Sequence, residues 1–262
     1  MNALMTLDLG HLTAGLEAYA WAFLRLSGFL MIAPLFGQTL VPGRVKIVFA
    51  IFLTMVLAPL TPKMPFIDPF SATALLTVAQ QLLIGIAIGF VVQIVFDALL
   101  LAGQVIANTM GLGFATLIDP NRGQSTVVVS QFFLVLGMLL FLSLDGHLLL
   151  LGALADSFQW LPPGPDGLGA PAFATIAAWG GKIFSAGALI ALPAVVGLLL
   201  VNLAFGVVSR AAPQLNLFAV GFPASMVLGF AMLMLSLPSL QGAVERLLLE
   251  AFMSIRSILG GH

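Results

Sequence analysis

The chain alternates between long apolar stretches and short segments rich in proline, glycine and polar residues. About 20 apolar residues in a helix cross the hydrocarbon core of a membrane, and backbone groups in lipid must bond within their own segment. The pattern therefore predicts an all-α integral membrane protein with a single domain over residues 1–262. About six hydrophobic segments are expected, at residues 14–36, 45–60, 72–108, 126–156, 173–208 and 217–237.

Four of these segments depart from a simple span. The second has about 16 residues, which is short for a crossing. The fourth is interrupted at Asp145-Gly146-His147, and the fifth contains Pro193. The third is unusually long and contains several polar side chains, namely Gln80, Gln81, Gln93, Asp97 and Gln104. The short second segment and the polar third also fit helices that pack mainly against protein partners.

The C-terminal part combines a proline with an amphipathic pattern. Pro238 follows the sixth segment, which predicts that this segment ends near residue 237. An amphipathic helix is expected beyond it, over residues 241–259. Its apolar face is formed by Val244, Leu247, Leu248, Ala251, Ile255 and Leu259.

Composition excludes most other classes of protein. Of the 262 residues, 61% are hydrophobic and 7% are charged, whereas soluble domains carry about 25% charged residues. A soluble chain this poor in charge could not cover its surface with polar groups, so soluble enzymes and disordered chains are excluded. The net charge of −1 provides no basic stripe for nucleic acid. The absence of cysteine excludes disulfides and thiolate metal sites.

The basic residues indicate neither a cleavable signal peptide nor an orientation. No Lys or Arg precedes Arg25, so the first apolar stretch lacks the basic region of a signal peptide, and we expect it to be retained. If all six segments span, the loops on the two sides carry similar numbers of Lys and Arg, and the positive-inside rule gives no direction.

Candidate catalytic residues are few. Asp97 and Asp145 are the only obvious acidic couple for an aspartyl site, and two unrelated carboxylates are the favoured interpretation. His147 beside Asp145 has no further ligand at metal-binding spacing. We therefore expect no enzyme, no metal site and no cofactor.

Arg25 lies in the middle of the first apolar segment. A charge at that depth is costly and normally faces protein or water, so a partner contact or pore lining is favoured over a side chain that snorkels to the membrane surface. Gly85 and Gly89 form a small-xxx-small pair, which permits close helix approach. Ordinary packing within the chain is the favoured interpretation of that pair.

A loop with two glycines follows the third segment. Residues 110–120 read Met-Gly-Leu-Gly-Phe-Ala-Thr-Leu-Ile-Asp-Pro, and no charge occurs before Asp119. An apolar loop between membrane segments can be a constriction that gates by dewetting. A buried re-entrant turn without a moving part is an equal interpretation of the composition.

Three blocks of sequence are informative when they are taken together. The first contains Arg25-x-x-Gly28, Pro34-Leu35-Phe36-Gly37 and Val41-Pro42-x-Arg44, and the second is the loop that ends in Asp119-Pro120. The third and most specific is Arg210-Ala211-Ala212-Pro213-Gln214-Leu215-Asn216-Leu217-Phe218-Ala219-Val220-Gly221-Phe222-Pro223. Over nearly the whole chain, these blocks and the six segments resemble the FliR family of flagellar and type III secretion export-gate components.

The resemblance implies a subunit of an export gate in the bacterial inner membrane, at the flagellar basal body. It implies one copy of a FliP-like plus FliQ-like fusion that closes a helical ring with FliP-like and FliQ-like subunits. An FlhB-like subunit lies at the entrance, unfolded flagellar subunits pass through, and membrane lipid surrounds part of the assembly.

The resemblance also implies roles for individual residues. A plug inside the pore would contain Met110, Gly111, Gly113, Phe114 and Leu117. Assembly and structural roles would fall on Arg25, Pro34, Gly37, Pro42, Asp119, Pro120, Arg210, Pro213, Gln214, Asn216 and Phe218.

A small-molecule or ion transporter is the alternative. Pro193 and the interrupted fourth segment are similar to broken transporter helices, and Asp97 could bind a cation. No repeated pair of halves supports this alternative.

Overall fold

The computed structural model describes residues 9–34, 41–60, 67–68, 71–112, 128–211 and 217–260. In these ranges the chain forms α1 (Leu9–Ile32), α2 (Gly43–Leu57) with a following 3-10 turn (Ala58–Leu60), α3 (Ala72–Thr109), α4 (Val128–Ser143), α5 (Gly146–Trp160), α6 (Ala170–Gly180), α7 (Lys182–Ala211) and α8 (Leu217–Ile258). No strand occurs within the described ranges. The predicted all-α class is confirmed.

Three helical stretches in the described residues are long and apolar enough to cross a membrane: Ala72–Thr109, Ala170–Ala211 and Pro223–Ile258. The pair α4 and α5 makes a fourth if the two are counted as one broken span. The membrane character of the chain is confirmed. The expected six were hydrophobic segments, and the three or four candidate spans in the described residues match that number only loosely; α2, with 15 residues, is a shorter apolar helix.

Local chemistry explains where several helices begin and end. The Ser71 hydroxyl accepts a hydrogen bond from the Ala74 amide at 3.1 Å, which caps the N-terminus of α3. The fourth segment breaks at Asp145, whose φ of 54° lies in the left-handed region and cannot continue a right-handed helix. Pro42 precedes the first residue of α2 with an extended backbone, as expected for a proline at a helix start.

The C-terminal helix differs from its sequence-based expectation. Instead of ending near residue 237, α8 continues through Pro223 and Pro238 to Ile258. An interior proline costs about 3 kcal/mol in a helix. Beyond Pro238, the whole predicted apolar face is buried: Val244, Leu247, Leu248, Ala251, Ile255 and Leu259. Burial of this face offsets the hydrogen bond that Pro238 removes.

The chain divides into two compact units. Unit 1 contains Met1–Gln93, Asp145–Gly180 and Glu250–His262, and unit 2 contains Ile94–Leu144 and Gly181–Leu249. Neither unit is a continuous stretch of sequence, and the long helices α3 and α8 each contribute to both. Within unit 1, α1 packs against α2. Within unit 2, the rings of Phe96 and Phe141 join α3 to α4, with their centroids 5.6 Å apart.

Candidate functional site

Arg25 is the centre of a buried polar network in unit 1. Its side chain is 0% exposed. Its Nε donates to Gln81 Oε1 at 2.8 Å, and its Nη1 donates to Ser157 Oγ at 2.9 Å. Its Nη2 donates to the Leu161 carbonyl at 2.7 Å. One guanidinium therefore joins α1 to α3 and to the C-terminal end of α5.

The negative end of α5 faces the Arg25 charge. Leu161 is the C-cap of α5, and Ser157 lies four residues before it. The Phe158 ring lies on the same turn, with its centroid 4.0 Å from Arg25 Cζ. A helix C-terminus carries about half a negative charge, and an aromatic face also attracts a cation. Among the described residues, the hydrogen-bond partners of Arg25 are all neutral, so the helix end takes the place of a carboxylate.

The burial of Arg25 decides between the interpretations of this residue. Its side chain does not snorkel to the membrane surface, because it is buried and hydrogen-bonded to helices of its own unit. A contact within the chain is therefore observed, and the favoured partner contact or pore lining stays a prediction. A structural part for Arg25 in assembly remains a prediction.

Glycines bring α1 and α3 close enough for the Arg25 network. A Cβ at Gly85 would lie 2.7 Å from the Phe29 amide nitrogen, and one at Gly89 would lie 3.0 Å from the Phe29 carbonyl oxygen. From the other helix, a Cβ at Gly28 would lie 3.1 Å from Leu82 Cα. The prediction that Gly85 and Gly89 serve packing within the chain is confirmed.

Two further contacts fix unit 1 around α3. The Gln80 side-chain oxygen accepts a hydrogen bond from the Leu168 amide at 3.3 Å, which attaches the proline-rich loop before α6. The Trp179 indole donates to the Val91 carbonyl at 2.9 Å, which attaches α6 itself. The polar residues Gln80 and Gln81 thus both have hydrogen-bond partners inside the chain.

The first residues of the predicted plug, Met110 and Gly111, lie in unit 2 at the C-terminus of α3. Gly111 has a φ of 84°. Its amide donates to the Asn108 carbonyl at 3.0 Å, and the Leu112 amide donates to the Ala107 carbonyl at 3.0 Å. These two bonds form a Schellman motif, in which a left-handed glycine ends the helix. Gly111 is therefore a helix cap.

The helices α7 and α8 contact this end of α3. The Met110 side chain is buried against Gly229 of α8, where an added Cβ would lie 2.6 Å from Met110 Cγ. The Asn202 amide on α7 donates to the Thr109 carbonyl at 3.4 Å, and the Ser225 hydroxyl on α8 donates to Asn202 Oδ1 at 3.2 Å. Met110 thus fills a space between helices within unit 2. Whether the loop beyond it seals a pore stays a prediction.

The remaining predicted residues are only partly within the described ranges. Pro34 is buried just after α1, Pro42 precedes α2, and Arg210 is exposed in the last turn of α7. Asp145, proposed as half of an acidic couple, is exposed in unit 1. Outside the described residues lie Gly37, Gly113, Phe114, Leu117, Asp119, Pro120, Pro213, Gln214, Asn216 and the side chain of Phe218.

Ser157, Phe158 and the Leu161 carbonyl are the parts of the site that the sequence did not reveal. Ser157 lies in an ordinary apolar-polar stretch, and nothing in its neighbours marks it as a ligand of Arg25. Gln81 carried a signal, since it is a polar residue inside a long apolar segment. Such a residue needs a buried partner, and Arg25 was a charge inside another apolar segment.

The described residues define a class: a helical membrane protein with closely packed apolar helices and one buried cation. The comparison with known families is specific. Residues 16–251 match the family described as bacterial export proteins, family 1. The chain belongs to this family, and its role lies in flagellar protein export.

Individual relatives agree with the family. The flagellar biosynthetic protein FliR of Pectobacterium carotovorum subsp. carotovorum is 37% identical over 256 residues, which are 98% of each chain. The protein of the same name in Escherichia coli (strain K12) is 38% identical over 244 residues, or 93% of each chain. That of Bacillus subtilis (strain 168) is 32% identical over 248 residues, or 92% of this chain and 94% of the relative.

Proposed function

We propose that this chain is a non-enzymatic subunit of the flagellar export gate in the bacterial inner membrane. In this proposal it builds, with FliP-like and FliQ-like subunits, the basal-body pore through which unfolded flagellar subunits leave the cell. An FlhB-like subunit contacts the entrance. The observation that carries the proposal is the family match over residues 16–251. The apolar surface that the chain leaves uncovered supports it.

The helix α2 is one source of that surface. Its 15 residues extend for about 22 Å, which is less than the hydrocarbon thickness of about 30 Å. Even so, Val48, Phe52 and Met55 on this helix are largely exposed. A short apolar helix with an uncovered face is better matched by protein subunits than by lipid alone.

The helix α7 is the second source. Only 17% of the most apolar window in Ala170–Ala211 is buried, against 67% of the corresponding window in α3. Its exposed side chains include Leu192, Leu199 and Leu203. Lys182 and Arg210 are the only charged residues from the start to the end of this helix. Such a surface requires lipid or other apolar helices around it.

Co-expression with FliP-like and FliQ-like proteins tests the assembly. We expect a complex with one copy of this chain, measured by mass spectrometry of the intact particle. The chain expressed alone should aggregate, because α2 and α7 remain uncovered. A folded, monodisperse monomer in detergent without partners would contradict the proposal.

A matched pair of variants tests whether α2 contacts other subunits. Phe52→Glu puts a charge on a side chain that is 59% exposed in the chain, so it should spare the fold and prevent subunit recovery. Gln159→Glu adds the same charge at an exposed position on α5 and should leave the complex intact. Equal recovery of the complex from both variants would remove α2 from the interface.

The seal of the pore is the second part of the proposal. Apolar side chains give an ion no substitute for its hydration shell, so a narrow ring of them blocks ions without a catalytic group. The residues proposed for this seal are Gly113, Phe114 and Leu117 in the loop after α3, while the buried Met110 holds the start of that loop. Passage of an unfolded chain then requires only that the loop move.

The geometry of the α3 terminus sharpens the test of the seal. A deletion should begin at residue 113, because Gly111 and Leu112 cap α3. Met110→Ala is unsuitable because it empties the space beside Gly229. We expect deletion of residues 113–118, or Phe114→Ala, to leave assembly intact and raise ion conductance of cells with the complete gate. Background conductance in an assembled gate would place the barrier in other subunits.

A further inference from the structure

Unit 2 contains a cavity of about 210 Å³ that protein export does not explain. It is lined by residues of α4, α7 and α8, and its apolar wall includes Phe133, Leu189, Ile190 and Leu240. The cavity is smaller than the roughly 300–1,000 Å³ of sites that enclose a whole ligand. It therefore fits one part of a larger molecule.

The lining of the cavity also contains polar groups and a positive charge. Among the described residues that line it, Arg246 of α8 is the only charged one, and none is a carboxylate. Ser236 and Ser239 are also in the wall, and their hydroxyls donate to carbonyls of their own helix, which leaves oxygen lone pairs as acceptors. Pro193 in the wall has no N–H to donate to the Leu189 carbonyl. The polar groups thus match an anion that also carries hydroxyl donors.

The apolar wall continues beyond the cavity along α7. Leu189 is 69% exposed although it lines the cavity, and Leu192 and Val196 are also exposed. Residues at i, i+3 and i+7 lie on one face of a helix. An apolar chain that starts in the cavity has a continuous surface to follow, in a helix with few charges.

We propose that this cavity binds an anionic phospholipid of the phosphatidylglycerol type. The phosphate lies at Arg246, and the glycerol hydroxyls donate to the serine and carbonyl oxygens. An acyl chain follows the apolar wall onto the exposed face of α7. The combination of one cation, neutral acceptors and an apolar track distinguishes this ligand from a free anion and from a neutral lipid.

Native mass spectrometry of the purified full chain, with any subunits that copurify, tests the proposal. We expect phosphatidylglycerol to be retained in preference to phosphatidylcholine. Arg246→Gln should weaken phosphatidylglycerol retention about fivefold, which corresponds to about 1 kcal/mol for one basic residue at an anionic lipid. Arg44→Gln removes the same charge from an exposed side chain in unit 1 and should not change retention. Equal loss in both variants would overturn the proposal.

Two further measurements separate the lipid from other occupants. Ala243→Phe narrows the cavity while it keeps Arg246, and it should also weaken phosphatidylglycerol retention. Inorganic phosphate should compete poorly, because it lacks the acyl chain; competition at equal concentration would identify an anion site without lipid. If Ala243→Phe lowers recovery of other subunits and leaves lipid retention unchanged, the cavity is a subunit contact, and the lipid proposal is wrong.

Discussion

Units 1 and 2 are both helical and rich in apolar residues, and helices approach closely at glycines in both, but among the described residues only unit 1 adds a buried charge. In unit 1, one buried guanidinium bonds to Gln81, Ser157 and the Leu161 carbonyl, and so joins three helices. In unit 2, the closest helix contacts surround small residues: an added Cβ at Gly103 would lie 2.9 Å from the Ser130 amide nitrogen. The aromatic pair Phe96 and Phe141 completes the contact of α3 with α4.

This difference indicates where an apolar protein can bury a charge. Unit 1 contains a helix C-terminus, that of α5, directed at the interior, and its carbonyls attract a cation. The contact of α3 with α4 in unit 2 is between helix sides, whose backbone groups are already bonded within each helix. There, close approach at glycines supplies contact without charge.

The largest expected effect tests the polar contact of unit 1. Arg25→Leu removes the donor from three acceptors, and each buried acceptor left unsatisfied should cost about 1–3 kcal/mol. Hydrogen exchange of the purified complex should rise in α5 and in the loop after it, and the yield of the complex should fall. Arg25→Lys should recover only part of the loss, because an ammonium does not reproduce the planar fork. Unchanged exchange in Arg25→Leu would mean that unit 1 is held by apolar packing, as unit 2 is.

A smaller effect tests the glycine contacts of unit 2. Gly103→Ala places a methyl group against the backbone of α4 and should cost about 1–3 kcal/mol. Gly206→Ala is the matched control on α7, where nothing lies within 4 Å of the added Cβ. It should stabilise the chain by about 0.5–1 kcal/mol through helix propensity. Thermal unfolding of both variants gives the comparison; a stabilising Gly103→Ala would show that α3 and α4 are not in close contact.

Loss of the side-chain hydrogen bonds at the C-terminus of α3 should lower the free energy of unfolding by about 0.5–1.5 kcal/mol. Asn202→Ala leaves the Thr109 carbonyl and the Ser225 hydroxyl without their side-chain partner. We expect faster hydrogen exchange at residues 107–112 and little change elsewhere. Ser209→Ala serves as control, since its hydroxyl bonds only to the Gly206 carbonyl of its own helix. The same exchange in both variants would show that Asn202 does not support the helix end.

The smallest expected effect is a change in the thermal midpoint of unfolding when Gln81 in the Arg25 network is replaced. The Gln81 Nε2 atom is buried without a hydrogen-bond partner in the described part of the chain. Gln81→Glu removes that donor and keeps an acceptor for Arg25 Nε, so the thermal midpoint should remain at or slightly above the wild-type value. Gln81→Leu leaves Arg25 Nε unpaired and should lower the midpoint. A Gln81→Glu variant as unstable as Gln81→Leu would contradict this account.

Much of the helical architecture could be predicted from local sequence. The third segment was expected at residues 72–108 and forms a helix over Ala72–Thr109; the second was expected at 45–60 and forms α2 with its 3-10 turn. Both predictions depend on apolar length and on flanking prolines, which act within a few residues. Pro238 shows the limit of such rules, because tertiary burial of the face after it sustains α8.

The sequence alone determined that this protein is helical, lies in a membrane and resembles the export-gate family, because length, composition and motifs are properties of neighbouring residues. Only the tertiary structure decided what Arg25 does. Its partners Gln81, Ser157 and Leu161 are 56, 132 and 136 residues away along the chain. No local sequence pattern indicates contacts between residues so far apart along the chain. The guanidinium finds its counter-charge in a helix end, and a helix end acts on Arg25 only after folding has brought it there.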